Sequence, residues 1–124
     1  MRLRTDFWVA AYLRRCQVEG TFAVLRRRGA AEAGAIFIKV DNLGGSAALY
    51  GPAPQSELGD TPERRFARLH AAAWVEPAEA EQRLLRQLRF DPDIWIIETE
   101  DRQGRAFLDL VDEIGPQKAP RDAF

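Results

Sequence analysis

Phe90-Asp91-Pro92-Asp93-Ile94-Trp95-Ile96-Ile97-Glu98-Thr99-Glu100-Asp101-Arg102-Gln103-Gly104-Arg105 is the stretch from which the fold can be read. It leaves a Pro-marked loop, becomes apolar and β-branched, turns acidic and stops at a Gly-containing turn. Four consecutive apolar residues, Ile94 to Ile97, predict a strand over 93–100 that is covered on both faces, which is the pattern of a central strand. Side chains alternate along a strand, so Glu98 and Glu100 share one of its faces. Beyond the Gly104 turn, residues from Arg105 to about Leu110 are expected to return as a last strand, closing a C-terminal hairpin.

On the N-terminal side of this stretch, residues 77–90 predict a helix. Pro77 suits the first helical position, Glu79 and Glu81 lie near the positive end, and Arg86 and Arg89 lie near the negative end. Leu84, Leu85 and Leu88 supply the apolar stripe, and Asp91-Pro92 ends the helix. Residues 66–75 alternate, with Ala67, Leu69, Ala71, Ala73 and Val75 between Phe66, Arg68, His70 and Trp74. This reads as a strand, although Thr61-Pro62-Glu63 resembles a helix start. Strand, helix and strand would then form a crossover with parallel outer strands. Gly51 to Pro62 is a Pro- and Gly-rich loop, able to serve as a lid or docking segment.

The first third changes period. Val9, Tyr12, Leu13 and Cys16 fall at helical spacing over 6–18, capped by Thr5 or Asp6. From residue 21 the pattern alternates: Phe22 and Val24 on one face, then Ile36, Ile38 and Val40 pointing inward, then a short strand to Tyr50. Asp41 to Ser46 supplies the turn. These three strands predict an antiparallel meander. The fold class is therefore α+β: an N-terminal helix, an antiparallel β-meander, a strand-helix-strand unit and a C-terminal hairpin, in a single mixed sheet with helices packed on it. Residues 1–114 read as a single globular domain, and 115–124 as a flexible tail.

Composition limits the chemistry. The chain has 124 residues, 46% of them apolar, and a formal net charge of −1, so no global field draws it to nucleic acid or an anionic membrane. Its single cysteine, Cys16, rules out an internal disulfide and multi-cysteine zinc sites, and His70 is its only histidine. The 16 Arg and 2 Lys accompany 19 Ala, as a GC-rich coding bias produces. Arg2, Arg4 and the apolar run 7–13 do not make a signal peptide, since Asp6 interrupts them and no cleavage site follows. No run approaches a membrane span, so a cytoplasmic protein is expected.

Several constellations have the chemistry of a site. Glu98 and Glu100, with Asp93 and Asp101 nearby, offer carboxylates to a divalent cation, as a small metal-dependent hydrolase or nuclease requires. The outline Pro92-Asp93 followed by Glu98-x-Glu100 resembles a restriction-type nuclease but departs from it, because no lysine follows in place. The plainer reading is a solvated strand end paired to Arg102 and Arg105. Arg26, Arg27 and Arg28 could contact an anion or nucleic acid, yet no recognition motif accompanies them. A Cys16–His70 nucleophile pair would require distant elements to meet, and Cys16 lies on an apolar stripe. No glycine loop has the spacing of a phosphate or dinucleotide cradle, so no cofactor is expected. The aromatic surplus, with Phe37, Tyr50, Phe66 and Trp74 on an outer sheet face, fits a homodimer interface. The leading expectation is a non-enzymatic binding domain that self-associates and has no membrane partner, with the metal-dependent hydrolase and nucleic-acid binding through the Arg-rich hairpin as its alternatives.

Four stretches together, Asp6 to Tyr12, Arg26 to Gly34, Leu49 to Pro54 and Arg89 to Trp95, resemble a family of small uncharacterised alphaproteobacterial proteins, a domain of unknown function. The resemblance spans nearly the whole chain to about residue 110. It implies a bacterial cytoplasmic single-domain protein and carries over no catalytic residues.

Overall fold

A computed structural model describes residues 3–54 and 64–111. The expected tail from 115, the helix start at 61–63 and most of the Pro- and Gly-rich loop lie outside the described residues. Along the chain the elements are α1 (Thr5–Val18), β1 (Phe22–Arg27), β2 (Ile36–Asp41), β3 (Ala47–Pro52), β4 (Phe66–Arg68), α2 (Pro77–Phe90) and β5 (Trp95–Glu100). The strands form one mixed sheet in the order β1-β5-β2-β3-β4. This is the α+β arrangement of two helices on a single sheet that the sequence predicts.

The apolar run 94–97 lies in the interior of the sheet. Strand β5 pairs antiparallel with β1 and parallel with β2, so both its edges are occupied. Its alternating side chains supply two cores. Trp95 and Ile97 join Ile36, Ile38 and Val40 beneath Val9, Tyr12 and Cys16 of α1. Ile94 and Ile96 join Phe37 and Leu49 beneath Leu84 of α2. The helices therefore cover opposite faces, and β2 and β5 are buried on both.

Four local expectations change. The antiparallel meander exists, but it is built by β2, β3 and β4, because β5 inserts between β1 and β2. The reason lies in the β1–β2 connection, which wraps around the start of β5. Ala30 donates its N–H to the Asp93 carbonyl at 2.9 Å, the Trp95 indole N–H donates to the Ala30 carbonyl at 2.7 Å, and Trp95 N–H donates to Ala35 at 2.8 Å. No strand forms over 105–110. With both edges of β5 taken, a hairpin partner has nowhere to pair; only Leu110 bridges, in parallel, to Phe66. The turn is held instead by buried Asp101, which accepts the Arg105 backbone N–H at 2.8 Å and its guanidinium at 2.7 Å.

The strand expected over 66–75 is interrupted. Ladder pairing covers Phe66 to Arg68 and resumes only at Val75, which exchanges two 2.8 Å backbone bonds with Ala47. Across the gap, Leu49 donates its N–H to His70 Nε2 at 2.9 Å, so an imidazole stands where a ladder carbonyl would. Strand β4 still runs parallel to β5 (each parallel to β2 through the pairings), although β2 and β3 separate them. Finally, α1 is not capped by a side chain. Thr5 and Asp6 donate their N–H groups to the Glu32 and Ala31 carbonyls, and the Thr5 hydroxyl donates to Gly34 at 3.0 Å. The loop that wraps β5 thus also satisfies the orphan donors of α1. Among the described residues, no helix is long and apolar enough to cross a membrane.

Candidate interaction surface

On the α2 side of β5, Ile96, Glu98 and Glu100 point the same way, and the register places Lys39 beside Glu98 and Asp41 beside Glu100. Helix α2 packs over β2 and β3 and meets the start of β5 through Leu84, leaving β1 and the far end of β5 without a helix on this face. A charge network stands at the boundary. Arg26 donates to both Glu81 oxygens, at 2.8 and 3.1 Å, and to Glu98 at 3.1 Å. The Lys39 ammonium sits 2.6 Å from Glu81 and 3.8 Å from Glu98. The Arg26 hydrogen bonds, with help from Lys39, hold the Glu81 carboxyl down to about 2.

Only 7% of the Lys39 side chain is exposed, so its charge depends on these carboxylates for compensation. The network therefore locks the middle of the sheet to α2. It also joins residues assigned above to different chemistries, since Arg26 of the Arg-rich stretch neutralises Glu98 of the carboxylate pair. Lys39 and Glu81 escaped the sequence reading. The available signal was a lone lysine inside Ile36-Phe37-Ile38-Lys39-Val40, a charge that a two-sided strand tolerates only with a partner.

The remaining sequence-predicted site residues disperse. Asp93 precedes β5 and lies five positions before Glu98, roughly 17 Å along an extended strand. It accepts the Ala30 N–H through its backbone carbonyl. Among the described residues, no group of three or more metal-ligating side chains is drawn together. Arg27 donates to the Pro92 carbonyl at 2.5 Å, and Arg28 stacks 5.0 Å from the Trp95 ring centroid, so the three consecutive arginines diverge. Arg105 serves Asp101. Cys16 is buried on the inner face of α1, where burial pushes its thiol pKa up, while His70 sits at the sheet edge beside Leu49.

His70 makes a testable structural contribution. Its Nδ1 lies 2.8 Å from the Ala72 carbonyl, to which it can only donate, so Nε2 accepts from Leu49 and the ring is neutral. Burial, then the Arg68 and Arg83 charges, lower its pKa below the ordinary 6.5, against the opposing pull of the Ala72 carbonyl and Glu79. The unfolded chain therefore takes up this proton first. Stability is full above about pH 6.5 and falls as pH drops towards the lower folded pKa. Urea midpoints should decline over this window, and His70→Gln should flatten the decline. A wild-type midpoint that is constant down to about pH 5 would contradict the assignment.

The aromatic residues expected on an outer sheet face, Phe37, Tyr50 and Phe66, are buried, and Trp74 is partly so. Different residues are exposed. Phe22, expected to share a strand face with Val24, is 59% exposed, and Leu85, expected in the buried stripe of α2, is 54% exposed. Both β1 residues face the side that α2 leaves open, while Ala23 packs towards α1. Between α2 and β1–β5 runs a shallow groove of about 250 Å³ lined by Arg26, Arg27, Leu85, Leu88 and Ile96.

The two sheet edges differ. Strand β4 is covered on its outer side by 109–111, with Phe66 N–H donating to Asp109 and Val111 N–H donating to Phe66. The outer edge of β1 has no ladder partner among the described residues.

Residues 3–109 match the family described as "Protein of unknown function (DUF1491)". None of the curated proteins matches the chain. The chain is similar to a solution structure from A. tumefaciens at 40% identity and TM-score 0.75, covering 90% of this chain and 96% of that one. It is also similar to a crystal structure of a DUF1491 family protein from Caulobacter crescentus at 35% identity and TM-score 0.72, covering 90% and 99%. An NMR structure of a DUF1491 family protein from the same organism gives 38% identity and TM-score 0.75, covering 90% and 98%. With a family match from residue 3 to residue 109 and a shared fold at these identities, the chain belongs to the DUF1491 family.

Proposed function

We propose that the chain is a cytoplasmic, non-enzymatic interaction module that pairs with a second copy of itself along the free edge of β1. The open edge itself carries this reading, because its opposite number, β4, is covered. Unpaired strand edges invite pairing, and proteins that remain monomeric blunt them. Here the blunting is partial: a bulge at Arg26 distorts one end, while Phe22 to Leu25 stays regular. A two-fold axis through such an edge pairs a strand antiparallel with its own copy, a closed and self-complementary contact. It would bring Phe22, Val24 and Leu25, the exposed apolar residues of β1, towards their counterparts in the other copy.

Light scattering coupled to size-exclusion chromatography tests the reading. The wild type should show twice the 14.0 kDa chain mass, and Val24→Lys, a charge placed on the exposed strand, should show one. A wild type of single mass at high micromolar concentration would sink the proposal.

A further inference from the structure

The sheet face that carries the charge network has room for one more helix. Helix α2 lies over β2 and β3, and the line midway between β1 and β5 is two strand spacings away. Two spacings make about 10 Å, which is both the diameter of a helix and the usual distance between packed helix axes. Strands β1 and β5 have six residues each, roughly 20 Å of extended chain. A helix of 14 residues, the length of α2, spans about the same distance.

The open position is apolar where a helix would rest. Phe22 and Val24 form its floor, opposite Glu100 and Glu98 in the β1–β5 ladder, and Ile96 lies in the groove beside α2. Leu85 and Leu88, three residues apart on one side of α2, form its wall.

Its two ends differ in charge. Where β5 begins, Arg27 stands beside Ile96 in the register and donates to the Pro92 carbonyl, while its Nε is buried without a hydrogen bond. Arg89, in the last turn of α2, follows Leu85 by four residues on the same side of the helix. Neither arginine makes an ion pair among the described residues. Asp91, nearby in sequence, is turned to the Asp93 backbone N–H at 2.9 Å. At the other end Glu100 and Asp41 are neighbours across β5 and β2, and neither has a cationic partner among the described residues. Between the two ends, Arg26, Lys39, Glu81 and Glu98 neutralise one another.

We propose that one amphipathic helix of a partner protein docks in this position. Its apolar stripe lies on Val24, Ile96, Leu85 and Leu88, its acidic end over Arg27 and Arg89, and its basic end over Glu100 and Asp41. Helices carry acids most favourably in the first turn and bases in the last, so the docked helix runs antiparallel to α2. It covers the face of the sheet and leaves the edge of β1 free, so this proposal and self-association fail separately.

The probes are two peptides of the length of α2, 14 residues, with the same leucine stripe. One carries Glu in its first two turns and Lys in its last two; the other carries Gln at all of those positions. Each is titrated into protein labelled at its methyl groups and followed by nuclear magnetic resonance. Saturable shifts are expected at Val24, Leu85, Leu88 and Ile96, with the Gln peptide binding about fivefold more weakly through the loss of exposed ion pairs at both ends. Arg89→Gln should weaken the charged peptide and leave the Gln peptide unchanged. Leu85→Lys should weaken both about tenfold, through lost apolar burial. Arg89→Gln alters only an exposed side chain, so it decides the matter should Leu85→Lys unsettle α2. No saturable shifts, shifts confined to the α1 face or to the β1 amides, equal binding of the two peptides, or unchanged affinity of the charged peptide in Arg89→Gln would each overturn the proposal. So would a wild-type mass of two chains that falls to one in Leu85→Lys, because a second copy would then already cover the position.

Discussion

Gly29→Ala is expected to cost about 3 kcal/mol or more, the upper range for forcing an extra methyl into packed structure. A Cβ on Gly29 would fall on the Asp93 carbonyl oxygen and within 2.6 Å of the Ile94 carbonyl carbon and oxygen. Those atoms are backbone at the entry to β5, which is held by β1 on one side and β2 on the other. No flexible side chain can swing away, so the loop must lift from the strand. Lifting it also strains the bonds from the loop to β5 and to the first turn of α1. Thermal unfolding should show a fall on the order of 10 °C or more. Gly44→Ala is the control, since there a methyl meets Asn42 no closer than 3.4 Å, at the end of its side chain. If the two variants melt together, the loop does not clasp β5 as described.

That clasp shows why part of the fold was legible in the sequence and part was not. The apolar runs and helical spacings located α1, α2 and β5, because burial on one or both faces leaves a local periodic mark. Strand order leaves none. Nothing in residues 22–50 says that the strand Trp95–Glu100 will part β1 from β2; that depends on Gly29 and Gly34 meeting Asp93 and Trp95 at close range. Alternation placed Phe22 and Val24 on one face but could not say which face is covered, which depends on α2 lying over β2 and β3. The same uncertainty misplaced Leu85. At 66–75 the alternation was real, yet the His70 imidazole replaced a ladder carbonyl, a substitution no periodicity records.

The candidate site fared similarly. Glu98 was singled out for its position in an unusual strand, and it does lie at a chemical focus, but its partners Arg26, Lys39 and Glu81 come from three other elements. Of the four, Lys39 is marked only by its place inside an apolar strand, and Glu81 carries no signal that separates it from the surface charges of a chain with 30% charged residues.

The second large effect is expected at Ile96. Its side chain, 6% exposed, packs in the core formed by Phe37, Leu49, Leu84 and Ile94, where α2 meets the sheet. Truncation removes buried methyl groups and leaves a cavity between a helix and a strand that is paired on both edges. Such a site collapses poorly, so Ile96→Ala should cost on the order of 2–5 kcal/mol. Two neighbours separate this cause from a general sensitivity of the region. Glu100, on the same face at the end of β5, makes no ion pair among the described residues, and Glu100→Ala should stay within about 0.5 kcal/mol. Leu85→Ala, on the exposed side of α2, should be comparably mild despite the size of the residue lost. Urea unfolding of the three variants gives the comparison directly. Were Ile96→Ala as mild as Glu100→Ala, β5 could not be the two-sided central strand on which both cores depend. Were Leu85→Ala as costly as Ile96→Ala, the outer side of α2 would be covered rather than exposed.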